Sequence, residues 1–245
     1  MAKLNPVFAG IKVEEEIREA ASVKGVAIKT VVLLAIAVLS GFLAINYGSI
    51  IYENIFIYIA ILLGALICGV IGQMNPNAAK VCSVIYAVCE GVLLGLVSFL
   101  FEGVISGIVL SAVLVTATIF GVMLLLYSTK IIRVTSRFLR VISGIGIAII
   151  LVSLFMLLSS VIAPNNAMIV AYVNSPGLMI LVSAVLLIYG AFMLAIDFEQ
   201  VNSIVAHGFD KKYEWMAALG LMVTIVWIYI EVLRLLAIIA RFSRD

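Results

Sequence analysis

Apolar runs of about 18 residues or more recur along this chain, each long enough to cross a hydrocarbon layer roughly 30 Å thick. That feature limits the fold more than any motif does. The composition agrees with it: 65% of the 245 residues are hydrophobic and only 11% are charged, where a soluble domain carries about 25% charged residues. With a mean hydropathy of +1.31, the chain reads as a polytopic membrane protein. The expected fold is all-α, one compact bundle of seven transmembrane helices with no soluble domain appended.

The spans are expected at about 26–46, 54–73, 79–101, 104–127, 141–163, 176–197 and 215–240. Residues 1–25 are charged (KVEEEIREAASVKG) and form an N-terminal segment of amphipathic character, leaving 26–245 as the membrane domain. The run after that segment lacks a convincing small-residue cleavage site, so it is expected to stay as the first span. Lys29, near its start, is expected to snorkel to the interface.

Lysine and arginine set the orientation. They fall in the N-terminal segment (Lys3, Lys12, Arg18, Lys24), at Lys80, in the fourth-to-fifth loop (Lys130, Arg133, Arg137, Arg140) and at Lys211 and Lys212. The three alternate connections carry none, which predicts a cytoplasmic N-terminus. Seven crossings then put Arg241 and Arg244 on the far side, against the same rule. Two small-xxx-small patterns, GVLLG at 91–95 and GVISG at 103–107, suggest close helix packing. Cys68, Cys82 and Cys89 lie in apolar stretches without metal-ligand spacing and read as core residues. A single histidine, His207, excludes a multi-histidine metal site, and no cofactor is expected.

Three acids fall inside apolar runs: Glu90, Asp197 and Glu231. An ionised group at the bilayer centre costs about 2.5–3.5 kcal/mol on insertion scales, so such residues find partners or mark a pathway. Glu90 has a bland reading as a protonated acid bonded to a neighbour. Asp197, followed by Glu199, has one as an interfacial charge. For Glu231, Arg234 at i+3 offers a structural ion pair.

AIDFEQV at 195–201 and WIYIEVLRLL at 227–236 resemble the last two helices of the Bax-inhibitor family of seven-helix proteins. NPVF at 5–8, YAVCEGVLLG at 86–95 and KYEWMAALGLMV at 212–223 resemble its bacterial branch. The resemblance implies an inner, cytoplasmic-membrane protein with a proton-sharing carboxyl pair acting as pH sensor beside a calcium-permeable pore. It maps the pair onto Asp197 and Glu231, glutamate standing where aspartate is commoner. Two carboxyls in a dry site do not both ionise cheaply, so one keeps a proton. Carboxylates also suit Ca²⁺, but two acids are too few for an ion that takes about six to eight oxygens, which fits a transient stop in a leak.

The expected function is therefore a pH-sensitive calcium leak, with calcium and protons as its ions and the bilayer as its surroundings. The alternative is a non-conducting regulator that binds other membrane proteins, such as membrane-bound proteases. Without GxGD, HExxH or GxSG segments, an enzyme is not expected, and nothing points to nucleic acid. Two departures qualify the mapping. Asp197 and Glu231 are 34 positions apart, so a straight hairpin turning at His207–Gly208 sets Asp197 opposite a residue near 220, with Glu231 about 15 Å further on. And where some relatives carry a base near the end of the second helix, this chain reads GQMNPN, with Lys80 the nearest base.

Overall fold

The computed structural model describes residues 19–46, 54–163 and 166–242. The N-terminal segment through Arg18, with its NPVF motif, and Arg244 lie outside the described residues. Among the described residues eight helices follow one another: α1 (Val23–Asn46), α2 (Ile55–Met74), α3 (Ala79–Val104), α4 (Ile108–Ser128), α5 (Ser136–Ile162), α6 (Ala167–Val173), α7 (Pro176–Ala206) and α8 (Tyr213–Phe242). All but the short α6 are long and apolar enough to span a membrane, so the seven-helix expectation holds. α6 lies in the connection between the fifth and sixth spans and was not expected from the sequence.

Local chemistry explains several boundaries. The Asn54 side chain accepts from the Phe56 N–H, and the Thr135 hydroxyl from the Phe138 N–H; each satisfies a donor that the first helical turn leaves open. Pro176 opens α7, where its missing N–H costs nothing. At the other end of α7, Gly208 takes φ 64° while Gly208 N–H and Phe209 N–H bond the carbonyls of Val205 and Ile204. This is a Schellman turn, and the left-handed residue it needs is the glycine.

The second small-xxx-small pattern proves to be a turn as well. Val104 ends α3, Gly107 takes φ 81°, and the Glu102 carboxylate accepts from the Gly107 and Val109 N–H groups at 2.6 and 3.0 Å. GVISG therefore marks a helix end, and a Cβ on either glycine would meet nothing within 4 Å. GVLLG behaves as expected: a Cβ on Gly91 would strike Ala37 and Ser40 of α1, and one on Gly95 would strike the Gly41 backbone.

α8 is the hub. It packs on α1, α2, α3, α4 and α7, and more of its span is buried than of any other, whereas α5 is the least buried and touches chiefly α6 and α7. The core runs along α8 through Ala218, Leu219, Met222, Ile228, Val232 and Leu233. Cys68, Cys82 and Cys89 are free thiols, half-buried on α2 and α3.

Because the spans alternate, the starts of α1, α3, α5 and α8 and the ends of α2, α4 and α7 share one face, here termed the N-terminal face. On it the residues before α1 clip to the α7–α8 loop. Ala21 N–H donates to Phe209 O and Lys211 N–H to Glu19 O, around an isolated Ala20–Asp210 bridge.

Candidate functional site

Asp197 sits nine residues before the end of α7, about 14 Å along the helix from that end, and only 8% of it is exposed. The interfacial-charge reading is thus set aside. Its Oδ1 lies 3.8 Å from where a Cβ on Gly220 would stand, and Gln73 Nε2 lies 3.9 Å from the same point. Thr224, one turn further along α8, is its other polar neighbour. Oδ2 is buried with no hydrogen-bond partner among the described residues. An acid, an amide and a hydroxyl thus meet beside bare helix backbone, and one carboxylate oxygen is left without a donor.

The base that a latch requires is absent from this group. The end of α2 contributes Gln73, a neutral amide. Lys80 makes no ion pair among the described residues; it lines a separate cavity at the N-terminal face with Lys29, Lys211 and Lys212.

Glu231 is 4% exposed and accepts from Arg234 Nη1 at 3.1 Å. The ion pair considered from the sequence is therefore formed, with Arg234 itself half-exposed. Glu231 stands eleven residues beyond Gly220 on an uninterrupted helix, a rise of about 16 Å. The structure does not bring Asp197 and Glu231 together. The separation read from the hairpin register is retained because the Schellman turn at Gly208 and the start of α8 at Tyr213 leave no room for an offset.

Glu90 is half-buried on α3, directly before Gly91, where a Cβ would strike Ala37 and Ser40 of α1. Glu199 is not simply solvated: its Oε2 accepts from the Tyr127 hydroxyl at 2.8 Å.

The most buried acid among the described residues was missed from the sequence. Glu214, in the first turn of α8, is 1% exposed. Its Oε1 accepts from the Ser22 N–H at 2.8 Å and from the Ser22 hydroxyl at 3.1 Å, and its Oε2 is paired with Lys29. Ser22 Oγ also accepts from the Gly25 N–H. Glu214 thus plays, from another helix, the part that an acid three residues on plays in a capping box. Lys29 does not snorkel; it turns inward to this carboxylate and lies 5.4 Å from the centre of the Trp215 ring. The available signal was an acid one turn into an apolar run and a lysine two turns into another.

A cavity of about 870 Å³ forms an apolar groove along α1 from Val23 to Ile45, walled by α3, α4, α7 and α8. Its few polar groups include Thr116 and Tyr229, and no carboxylate lines it among the described residues. Such a lining does not replace an ion's hydration shell. No set of three or more histidine, cysteine or acidic side chains among the described residues is grouped to hold a metal.

Comparison with family models matches residues 5–241 to the one described as Bax inhibitor 1 like. A search among curated proteins finds no match to the chain.

Proposed function

The chain belongs to the Bax inhibitor 1 like family, and from that premise we propose that it is a pH-sensitive calcium leak in the cell's inner membrane, its N-terminus cytoplasmic, in which Asp197 and Glu231 act as two separate stations. The observation that carries this reading is the Asp197 carboxyl, buried between α7 and α8 with one oxygen unpartnered. A neutral carboxylic acid tolerates such a dry site, and a carboxylate does not without a cation or water. The closed bundle is the protonated one. Loss of the proton puts a charge against the backbone at Gly220, and hydration of that charge loosens α7 from α8.

The ionised Asp197 then attracts a cation entering from the N-terminal face. Glu231, about 16 Å onward, offers a second oxygen site when it releases Arg234. Two carboxylates far apart give a calcium ion passing contacts and no cage. Calcium is cargo in this reading, and no cofactor or chemical step is invoked.

The test is Ca²⁺ flux into sealed liposomes holding the purified chain. Flux above that of empty liposomes supports the leak. No flux from folded protein removes it and favours the second reading, a non-conducting regulator of other membrane proteins. That second reading is favoured by the apolar groove, whose lining offers no acid to a permeating cation. A stable membrane-protein partner in pull-downs, without flux, is its expected signature.

A further inference from the structure

Four lysines converge at the N-terminal face. Lys29 of α1, Lys80 in the first turn of α3, and Lys211 and Lys212 of the α7–α8 loop line a cavity of about 430 Å³ with Pro76, Asn77 and Trp215. No acid is among its lining residues. Two of the ammonium groups are already matched: Lys29 by Glu214 and Lys211 by Glu19. The Glu19 carboxylate, by hydrogen bond and charge, holds Lys211 protonated to higher pH than usual.

The other two have no carboxylate partner among the described residues. Lys212 Nζ donates to the Asn77 amide oxygen at 3.0 Å, and its own backbone N–H donates to Asp210 Oδ1 at 3.3 Å. Lys80 is exposed at the mouth. Of the four lysines that line the pocket, two are neutralised by Glu214 and Glu19 and two have no carboxylate partner among the described residues, so an anion is the ligand its chemistry fits.

Its position selects the kind of anion. The cavity lies where the α2–α3 and α7–α8 connections meet the start of α1, at the ends of spanning helices, with Trp215 in its wall. Indole rings favour the headgroup level, and basic pockets between spanning helices hold lipid headgroups. We propose that this pocket is a binding site for the phosphate of an anionic membrane lipid, held by Lys80 and Lys212, the two lysines without a carboxylate partner among the described residues. The site is independent of any ion conduction through the bundle.

Native mass spectrometry of the full chain, purified with phosphatidylglycerol and phosphatidylcholine in equal amounts, tests this. Wild type is expected to retain phosphatidylglycerol selectively. Lys80→Gln with Lys212→Gln is expected to weaken that retention roughly tenfold or more, and Lys80→Arg with Lys212→Arg to keep it. Arg133→Gln with Arg137→Gln removes equal charge from the same face and is expected to retain the lipid as wild type does. All three double variants change exposed or loop side chains, and an unchanged unfolding midpoint in detergent certifies their folds. Equal loss from both glutamine variants, or loss from neither, overturns the site. Inorganic phosphate supplies the other arm: if it raises the unfolding midpoint through Lys80 and Lys212 while no phosphatidylglycerol is retained, the ligand is soluble and the lipid assignment fails.

Discussion

The Asp197 carboxylate faces Gly220, its Oδ1 3.8 Å from where a Cβ on that glycine would stand. An acid nine-tenths buried in a membrane bundle therefore meets the one position on the facing turn that has no side chain, with Gln73 Nε2 3.9 Å from the same point. This contact, and not an acid–acid pair, is what α7 and α8 build around Asp197.

Because the contacts at that point are of ordinary length, Gly220→Ala is expected to fold with stability within about 0.5 kcal/mol of wild type. Gly220→Leu pushes into Asp197 and Gln73, and an overpacked site costs about 1–3 kcal/mol. Unfolding midpoints in detergent distinguish the two. Equal loss from both would mean that the backbone itself, and not the space above it, is required.

Gly95 and Gly103 share a helix and a residue type but not a role. A Cβ on Gly95 collides with the Gly41 backbone, whereas one on Gly103 meets nothing within 4 Å. Gly95→Ala is expected to destabilise by about 1–3 kcal/mol. Gly103→Ala is expected to be neutral or to stabilise by up to about 1 kcal/mol through helix propensity. Thermal unfolding of the two variants checks the contrast.

The seven spans were legible because a spanning helix announces itself by length and hydropathy alone. So was the mismatch between Asp197 and Glu231, since the glycine turn fixes the register and each helical residue adds a constant rise. Side-chain partners were another matter. Lys29 and Glu214 are 185 positions apart, and no local pattern links an inward-turning lysine to an acid on the last helix. GVISG failed as a packing motif for a different reason: small residues at i and i+4 serve a helix end as well as a helix face, and only Gly107's positive φ separates the two. For Glu231, the sequence presented its partner at i+3, so the ion pair was visible as an alternative from the start.

The Lys29–Glu214 pair is buried and bonded to Ser22, so breaking it on one side leaves an uncompensated charge. Glu214→Gln is expected to cost about 3 kcal/mol and to loosen the segment ahead of α1. Adding Lys29→Met removes the orphaned cation and is expected to recover part of that loss. A double-mutant cycle on unfolding free energies measures the coupling, and additivity of the two single effects would show that the pair holds nothing together.

Arg234 is the cation paired with Glu231 among the described residues, and releasing it is expected to leave the carboxylate free for cations. Arg234→Gln should therefore raise Ca²⁺ flux, while Glu231→Gln should lower it without removing its pH dependence. Flux unaffected by either change would reduce Glu231 to a structural ion pair.

The most direct test of the central claim is Ca²⁺ flux into liposomes by wild type and Asp197→Asn, scanned from about pH 5 to 8, a range that a carboxyl in a dry site reaches. If ionisation of Asp197 opens the bundle, wild-type flux rises with pH, and the asparagine variant, permanently neutral against Gly220, stays low throughout. A variant that keeps the wild-type pH profile would contradict the account, because the proton that gates the flux would then sit elsewhere.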